Sequence, residues 1–502
     1  MIKIFFISLP SMNNNNMKPF KDLEPEALWG YFHEITKIPR PSKKEEKIIA
    51  YLMDFGQSHQ LETKKDHVGN ILIRKPATKG KEKTKTVVLQ SHVDMVCEKN
   101  SEVEHDFEND PIQPYIDGEW VKAKGTTLGA DDGIGIAAML AILEARNIEH
   151  GPIECLFTVD EETGLTGAFE LQPGFFQGKT LINLDSEDEG ELFIGCAGGI
   201  DTICNLNYKE KKASNNQIAC RIFLKGLKGG HSGDEIHLGL ANSIKLLTRL
   251  LWTCNKTFHV RISKLEGGNL RNAIPREAYA DLTVPAENYD QFERYVFDFQ
   301  DMVKKEYAKT EPHLNINISA IDKPKAVMSR KTQKKLLNAL LACPHGVVSW
   351  SKEIDNLVET STNLAAVKFI EKNNIQITTS QRSSVESAKE TIANTIESIF
   401  ELAGAKVIHS GGYPGWSPNM KSEILNITRD SYLHLFGKEP EVKAIHAGLE
   451  CGLFLKKYPG LDMISFGPTI KRAHSPDEKL HVFSTGKFWE LLIDVLEKIP
   501  EY

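Results

Sequence analysis

Short apolar runs repeatedly give way to helical segments along this chain, and this alternation is the feature that most restricts its fold. The runs 86–92, 153–160 and 180–185 are strand-like, and 131–146 between the first two has a helical pattern. A similar run at 462–467 precedes a helical C-terminus. Short apolar strands that alternate with helices predict an α/β domain whose sheet is mostly parallel and buried.

Five of the junctions between strands and helices carry residue types that bind metal ions. They are His92, Asp131, the pair Glu161 and Glu162, Asp185, and His474. The carboxyl ends of parallel strands form the edge at which open α/β sheets bind ligands. We therefore expect these side chains to meet at one edge of the sheet.

Each of these residues also has an ordinary structural interpretation. Asp131 could be only a helix N-cap, and Glu161 and Glu162 could be solvated turn residues. A lone histidine at the end of a strand is more often a hydrogen-bonded surface or core residue than a ligand. Their shared position at one sheet edge favours the functional interpretation.

Two histidines and three carboxylates make a set of nitrogen and oxygen donors that suits two zinc ions, or manganese or cobalt as substitutes. One carboxylate that uses both oxygens could bridge the ions, and such a pair lowers the pKa of a bound water towards neutrality. Of the adjacent glutamates, one would bind metal and the other would stay free as general base. Asp94, on the same side of an extended segment as His92, could orient that imidazole.

The pattern changes between about 200 and 409. Strands there alternate apolar and polar residues, which is typical of sheets with one solvated face, and amphipathic helices separate them. The order strand–helix–strand occurs around 217–283 and again around 347–408. We predict an inserted α+β domain of two similar halves, which interrupts a discontinuous domain made of 17–199 and 410–502.

The length of the chain and its N-terminal residues bear on this division into two domains. A chain of 502 residues is too long for one ordinary core. Residues 1–16 hold a short apolar run followed by four asparagines, which resembles a weak secretory signal. A misassigned start codon is the preferred interpretation, with a signal as the alternative, and we treat 1–16 as a non-structural extension.

Charge and cysteine content exclude several classes of partner. Lys and Arg number 61 against 68 Asp and Glu, a net charge of −7, and without a basic stripe this argues against nucleic acid. No run approaches the roughly 20 apolar residues of a membrane span. Eight scattered cysteines without a C-x-x-C pair indicate buried thiols in a reducing compartment, hence the cytoplasm.

Five segments of the chain carry a specific resemblance. They are QSHVDMV (90–96), TTLGADDGIG (126–135), VDEETGLTGA (159–168), NLDSEDEGE (183–191) and RAHSPDEKL (472–480). From about residue 18 to its end the chain resembles the co-catalytic zinc peptidase family of carboxypeptidases, aminoacylases and dipeptidases. The match is closest to the aminoacyl-histidine dipeptidases. The resemblance implies a zinc-exopeptidase-like catalytic domain interrupted by a lid domain.

The resemblance also implies roles for the five metal-type positions. Asp131 would be the bridging ligand between two zinc ions. His92 and Asp185 would bind one ion, and Glu162 and His474 would bind the other.

Catalytic roles follow from the same resemblance. Glu161 would be the general base, and Asp94 would support the imidazole of His92. The peptide that joins Asp131 to Asp132 is expected to be cis in this family.

Three residues of the inserted domain are expected to bind substrate. His231, in GLKGGHSGDEIH, matches a lid histidine that helps to polarise the scissile carbonyl, and Asn272, in GGNLRNAIP, matches a residue that contacts substrate. Arg382 is a candidate clamp for a free C-terminal carboxylate, because guanidinium binds carboxylate through two parallel hydrogen bonds. Taken alone, Arg382 could equally be a surface ion-pair residue.

The function we expect is hydrolysis of unblocked dipeptides, Xaa-His dipeptides among them, by a metal-activated water. The segment LGADDGIG stands where carboxypeptidase-like and aminoacylase-like members carry a GRG…DxKG pattern, which favours di- or tripeptidases. A tripeptidase or an N-acyl-amino-acid hydrolase of the same family, and a catalytically idle zinc- or peptide-binding protein, are the alternatives. A small peptide is the expected partner, and the resemblance suggests a homodimer.

Overall fold

A computed structural model of the chain describes residues 20–370, 373–446 and 448–502, so the predicted extension 1–16 lies outside the described residues. The chain divides into two compact units. The first unit is Met1–Leu192, Glu423–Glu441 and Leu461–Tyr502, and the second unit is Phe193–Ser422 and Val442–Gly460.

The second unit takes a segment that the sequence pattern assigned elsewhere. The predicted inserted domain spans 200–409, whereas the second unit begins at Phe193 and also contains a second, separate segment of the chain, 442–460. The strand and helix of 442–460 have the same local pattern as those of the first unit, and a local pattern does not specify the core on which an element packs. The assignment of the units to catalysis and to a lid stays a prediction.

Helices and strands cover most of the described residues. The helices are α1 Glu26–Thr36, α2 Glu46–Ser58, α3 Ala130–Glu144, α4 Glu161–Gly164, α5 Thr166–Glu170, α6 Ser243–Thr257, α7 Tyr289–Glu306, α8 Arg330–Ala342, α9 Glu386–Ala403, α10 Glu423–Phe436, α11 Glu450–Lys457 and α12 Val482–Lys498. The strands are β1 Glu62–Lys65, β2 Ile71–Lys75, β3 Val87–His92, β4 Pro114–Asp117, β5 Trp120–Ala123, β6 Ile153–Thr158, β7 Thr180–Asn183, β8 Glu191–Cys196, β9 Gly198–Asn207, β10 Glu210–Lys212, β11 Gln217–Lys225, β12 Arg261–Gly267, β13 Ala278–Pro285, β14 Asn315–Ala320, β15 Ala326–Met328, β16 Gly346–Trp350, β17 Val358–Ile370, β18 Asn374–Ser383, β19 Lys406–Tyr413, β20 Glu441–Ile445, β21 Asp462–Ser465, β22 Ile470–Lys471 and β23 Lys479–His481.

The centre of the first unit is a sheet whose strands β1-β2-β6-β3-β7-β21 are neighbours in that order. The neighbours β6, β3, β7 and β21 are parallel, whereas β1 and β2 are antiparallel additions at one edge. Every residue of β3, β6 and β7 is buried, as expected for strands covered on both faces. The predicted α/β domain with a mostly parallel sheet is confirmed.

Helix α3 packs in the core of this unit because, beyond the two aspartates at its start, it is apolar on all sides up to Leu143. Its residues from Ala130 to Leu143 are all buried, and a helix without a polar face has no side to present to water. It also packs against α1 and β3. The start of α3 is therefore fixed at the sheet edge where the predicted ligands lie.

The second unit contains an antiparallel sheet in the order β14-β11-β13-β12-β17-β18-β9-β19, with β16 beside β17. Two groups of strands meet at β12 and β17, which share the single residue pair Gly267 and Val367. In β11, Cys220, Ile222 and Leu224 are buried and alternate with more exposed residues. The predicted α+β insert is confirmed, and the similarity of its halves stays a prediction.

The sequence predicts buried cysteine thiols and no membrane-spanning segment. The eight cysteines are thiols, and each except the half-buried Cys97 is buried. Within the three described ranges, no helix is both long enough and apolar enough to cross a bilayer.

Candidate metal centre

The carboxyl ends of four neighbouring parallel strands carry the predicted ligands. His92 is the last residue of β3, and Asp185 comes just beyond β7. Glu162 lies in α4, which follows β6. His474 lies between β22 and β23, after β21. The sheet therefore places them at one edge, as the sequence pattern predicts.

Asp131 faces the two histidines through different oxygens. Its Oδ1 lies 3.0 Å from Nε2 of His92, and its Oδ2 lies 3.1 Å from Nε2 of His474. The peptide between Asp131 and Asp132 is cis, as expected, and neither residue has helical dihedral angles. Oδ1 of Asp132 accepts a hydrogen bond from the backbone N–H of Gly135 at 3.1 Å. The capping role thus falls to Asp132, and the N-cap interpretation of Asp131 does not apply.

Each of the other two carboxylates lies against one histidine. Oε2 of Glu162 is 3.0 Å from Nε2 of His474, and Oδ1 of Asp185 is 3.5 Å from Nε2 of His92. Ligand atoms of His92, Asp131 and Asp185 lie within 4.8 Å of one another. The same holds for Asp131, Glu162 and His474. Two three-residue groups therefore share Asp131.

Asp94 connects the imidazole of His92 with the helix that carries both glutamates. Its Oδ1 lies 3.3 Å from Nδ1 of His92. Its two oxygens accept hydrogen bonds from the backbone N–H groups of Glu161 and Glu162 at 3.0 and 3.2 Å. The hydroxyl of Ser42 donates a third hydrogen bond at 2.7 Å. The side chain of Glu161 is half-buried, and it belongs with His92 and Glu162 to a third group of ligand atoms within 4.8 Å.

A row of buried polar side chains joins the four strands beneath the site. Gln90 of β3 donates to the hydroxyl of Thr158 on β6 at 3.1 Å. Asn183 of β7 donates to Oε1 of Gln90 at 2.6 Å and accepts from the hydroxyl of Ser465 on β21 at 2.5 Å. All four residues are buried. Because buried polar groups are costly to leave unpaired, this row fixes the relative positions of the strand ends.

The electrostatics of the site reflect an excess of carboxylates. Burial alone would lower the pKa of His92, but the neighbouring Asp185 and Asp131 raise it well above its ordinary value. Hydrogen bonds to Asp131 and Glu162 raise the pKa of His474 to about 11. Burial raises the pKa of Asp185 well above its usual range, and nearby carboxylates add to this effect. The cluster therefore retains protons because positive charge is lacking.

This donor set fits two divalent metal ions. Oε1 of Glu162 is buried and has no hydrogen-bond partner, a costly state that a cation would relieve. Imidazole nitrogen and carboxylate oxygen are ligands that zinc, and also manganese and cobalt, accept. A carboxylate with one oxygen in each group, as Asp131 has, is suited to bridging. A bound cation would also replace the protons that the two imidazoles retain.

Sequence reasoning missed two buried charged residues beside the site, Arg40 and Glu478. Both are 2% exposed, and both hydrogen-bond to the backbone of the turn 128–131. Glu478 lies inside the motif 472–480, but no role was assigned to it. Arg40 stands between two prolines in the sequence. Nothing in that local pattern indicates that its side chain is buried.

His231 and Asn272 lie close together in the second unit. The backbone N–H of Ser232 donates to the carbonyl oxygen of Asn272 at 2.8 Å, and both predicted residues line a cavity of about 560 Å³. Nδ1 of His231 lies 2.8 Å from Oδ2 of Asp234. The hydrogen bond from His231 lowers the pKa of that carboxyl group. The structure thus brings two of the three predicted substrate-binding residues together.

Arg382 is buried on β18, with 9% of its surface exposed. Its Nη1 donates to the hydroxyl of Tyr413 at 3.1 Å, and its Nε is buried without a hydrogen-bond partner. Among the described residues, no carboxylate oxygen lies within 4.0 Å of its guanidinium. The surface ion-pair interpretation therefore does not apply. The sequence pattern indicates the glycine-rich segment 409–416, which contains Tyr413, as part of the substrate pocket, but it carries no signal of the contact between Tyr413 and Arg382.

Comparison with known proteins gives a family and a close relative in sequence. The model of a family described as "Peptidase family M20/M25/M40" matches residues 88–498. The chain is 46% identical over 484 residues to the cytosol non-specific dipeptidase of Escherichia coli strain K12. That alignment covers 96% of this chain and 100% of the relative.

Two solved structures extend the comparison. The crystal structure of aminoacylhistidine dipeptidase from Vibrio alginolyticus is 45% identical, with a TM-score of 0.91, and covers 96% of this chain and 98% of that chain. Aminopeptidase PepT from Bacillus cereus has a TM-score of 0.56 at 18% identity, and covers 95% of this chain and 99% of that chain. At that identity the second likeness concerns the fold alone.

Proposed function

The chain belongs to the peptidase family M20/M25/M40 and is a hydrolase, and from this membership we propose that it cleaves unblocked dipeptides, Xaa-His dipeptides among them. The observation that carries the proposal is the position of Asp131 between two histidines that each face a further carboxylate. The names of the two relatives that align over almost the whole chain support the choice of dipeptides.

The metal centre would use five ligands. Asp131 would bridge two ions, with His92 and Asp185 on one and Glu162 and His474 on the other, supported by the two groups of ligand atoms that share Asp131. Zinc is the proposed ion, and cobalt or manganese could substitute. Two such ions, when bound, supply Lewis acidity and a water of lowered pKa.

Glu161 would be the general base. A carboxylate oxygen of Glu161 would take the proton from the attacking water and pass it to the leaving amine. Two observations support this role. The side chain of Glu161 is half-buried, and its carboxylate lies within 4.8 Å of ligand atoms of His92 and Glu162. Asp94 would keep α4 and the imidazole of His92 in their orientations, supported by its contacts with both.

Three side chains of the second unit are proposed to bind substrate. Arg382 would bind the free C-terminal carboxylate, because its buried guanidinium has no carboxylate partner among the described residues. His231 would polarise the scissile carbonyl, and Asn272 would contact the substrate backbone. Their shared cavity of about 560 Å³ supports the last two assignments.

Location and assembly complete the proposal. We propose the cytoplasm, which the name of the Escherichia coli relative and the buried cysteine thiols favour. The homodimer stays a prediction from the resemblance.

The experiment that tests the function measures free histidine released from β-alanyl-histidine and glycyl-histidine by the purified protein. We expect cleavage that stops when metal is chelated and returns when zinc is restored. N-acetyl-histidine and glycyl-glycyl-histidine serve as comparison substrates, with all amino acid and dipeptide products separated by chromatography, and we expect slow or no cleavage of both. Faster cleavage of the tripeptide would identify a tripeptidase. Cleavage of the acetylated substrate alone would identify an acyl-amino-acid hydrolase, and two bound ions without any cleavage would indicate a non-catalytic binding protein.

A further inference from the structure

The turn that carries Asp131 is held by two charged side chains that do not belong to the ligand groups. Glu478 and Arg40 are both 2% exposed, and each contacts the turn 128–131 through its backbone. Both residues lie in the described part of the chain, and no guanidinium nitrogen of Arg40 lies within 4.0 Å of a carboxylate oxygen of Glu478, so the two do not form an ion pair. Their charges are instead satisfied mainly by peptide groups.

Glu478 accepts hydrogen bonds from consecutive N–H groups of the turn. Its Oε2 accepts from Leu128 at 2.8 Å and from Gly129 at 3.0 Å. Its Oε1 accepts from Ala130 at 2.7 Å and, at a longer 3.4 Å, from Asp131 itself. One carboxylate therefore fixes the orientation of every peptide plane that leads into the proposed bridging ligand.

Arg40 holds the same turn from its carbonyl side. Its Nη2 donates to the carbonyl oxygen of Gly129 at 2.5 Å. Its Nη1 donates to the carbonyl oxygens of Val93 and Asp94 at 2.9 and 2.6 Å. The guanidinium therefore ties the turn to the segment that follows β3, which ends at His92.

Gly129 lies at the centre of this arrangement. It has φ +70°, and a Cβ atom there would lie 2.7 Å from Nη2 of Arg40 and 2.9 Å from Sδ of Met95. The N–H of Gly129 is bound by Glu478 and its carbonyl oxygen by Arg40. The peptide geometry is thus determined from both sides, and only glycine leaves room for the guanidinium.

Buried charges that contact only backbone contribute little to stability, because desolvation offsets much of the attraction. Their effect here is geometric. Asp131 must present Oδ1 to one histidine and Oδ2 to another, which requires a fixed backbone orientation. Glu478 also follows His474 in the same loop, so it connects the loop of one proposed ligand to the turn of another.

We propose that Glu478 and Arg40 are positioning residues of the metal centre, which hold the turn 128–131 so that Asp131 can bridge two ions. The inference rests on the proposed function, in which Asp131 is the bridging ligand. Hydrogen-bonding groups outside the direct ligands typically change metal affinity by about 10–100-fold when they are removed.

The test measures zinc affinity of the metal-free protein against a competing chromophoric chelator, without substrate. In Glu478→Gln the amide keeps one acceptor, but its NH₂ group faces N–H donors of the turn. We expect zinc binding about 10–100-fold weaker than in the wild type. The matched control is Asp477→Asn, since Asp477 is exposed and pairs with Arg472 at the surface. We expect wild-type affinity for this variant.

Thermal unfolding of the metal-free variants separates positioning from a merely structural role. A lower Tm of Glu478→Gln with unchanged zinc affinity would overturn the inference, and so would unchanged values of both. Arg40→Lys keeps the charge but cannot reach three carbonyl oxygens, so it decides the question if Glu478→Gln does not fold. Wild-type zinc affinity in Arg40→Lys would then overturn the inference.

The affinity measurement is independent of turnover. A wild type that binds two ions but cleaves no peptide would contradict the proposed function, and the variants' affinities would still decide the inference. A wild type that binds fewer than two ions would overturn both. A wild type that cleaves dipeptides while Glu478→Gln keeps full zinc affinity would overturn only the inference.

Discussion

At the scale of single residues, identical carboxyl groups take different roles because their surroundings differ. Burial alone would raise the pKa of Asp94, but the nearby imidazole of His92 and the hydrogen bond from Ser42 lower it to about 2. Burial raises the pKa of Asp132 to about 7, and its Oδ1 caps α3. Asp131 faces both histidines, whereas Glu161 lies outside the two ligand groups that share Asp131. These different environments are the reason why we propose different roles, as ligand, support and base, for chemically similar residues.

Replacement of Glu161 by alanine tests the proposed general base. We expect kcat to fall by about 10²–10⁴-fold, the usual contribution of a positioned acid or base. Two metal ions per chain should remain, because the five proposed ligands are unchanged. The measurements are steady-state kinetics and metal content of the purified variant.

The matched control for this variant is Glu170→Ala. Glu170 lies at the end of α5, and its side chain is half-exposed, with His67 at 3.7 Å. We expect this variant to keep wild-type kcat. Near-wild-type turnover in Glu161→Ala would contradict the general-base assignment.

At the scale of elements, the backbone geometry of the turn before α3 depends on a glycine, and the position of the helix in the core depends on its apolar residues. Beyond the two aspartates at its start, α3 is apolar on all sides up to Leu143, so the helix is fixed in the core. Gly129 precedes it with φ +70°, a conformation that costs other residues about 1 kcal/mol or more. The strand ends carry the proposed ligands, and in our proposal this turn sets how Asp131 enters the site.

Gly129→Ala separates backbone strain from steric clash. Gly118 is a matched control, because it has φ +61° and nothing lies within 4 Å of the position that a Cβ atom would take there. We expect Gly118→Ala to lower the free energy of unfolding by about 1 kcal/mol. Gly129→Ala should lower it by roughly 3 kcal/mol or more, because the clash with Arg40 and Met95 adds to the strain.

Urea unfolding of both glycine variants in the presence of a chelator provides the measurement. Equal losses for the two would show that the neighbours of Gly129 move aside. In that case the fixed geometry of the turn would not depend on the close contact with Arg40 that the structure contains.

At the scale of the whole molecule, buried histidines make stability depend on pH. Burial lowers the pKa of His345 to about 4, with Lys245 adding to the effect. Burial also lowers the pKa of His446 to about 3, with Arg382 adding to the effect. In the unfolded chain each imidazole binds a proton near its ordinary value of 6.5. Between these values the unfolded state therefore binds more protons at these two histidines than the folded state does.

We expect His345 and His446 to lower the free energy of unfolding of the metal-free protein as pH decreases from 6.5 towards 4, whereas Asp132, with its raised pKa, contributes in the opposite direction. Each histidine contributes on the order of 1–3 kcal/mol to this loss. His345→Gln should show a smaller decrease in Tm between pH 7 and pH 5 than the wild type. His434→Gln, at an exposed position of α10, is the control and should keep the wild-type dependence. A pH dependence unchanged in His345→Gln would contradict the prediction.

The sequence by itself determined the chemistry of the site and its place in the fold. Strand and helix periodicity are local properties, and they marked the junctions where His92, Asp131, Glu162, Asp185 and His474 lie. The rule that parallel strands end at a common edge then brought these positions together. The mostly parallel sheet and the α+β insert followed from the same periodicities. The boundaries between the two units were predicted less well, because the local pattern of 442–460 fits either unit.

Only the tertiary structure decided how the proposed ligands are held. Arg40 contacts Gly129, and Glu478 contacts the turn 128–131, across long separations in the chain. Arg382 contacts Tyr413 from another strand. Glu478 and Arg40 bind peptide groups, which every residue carries, so no pattern of side chains marks their partners in advance. Such contacts exist only once distant segments have packed together.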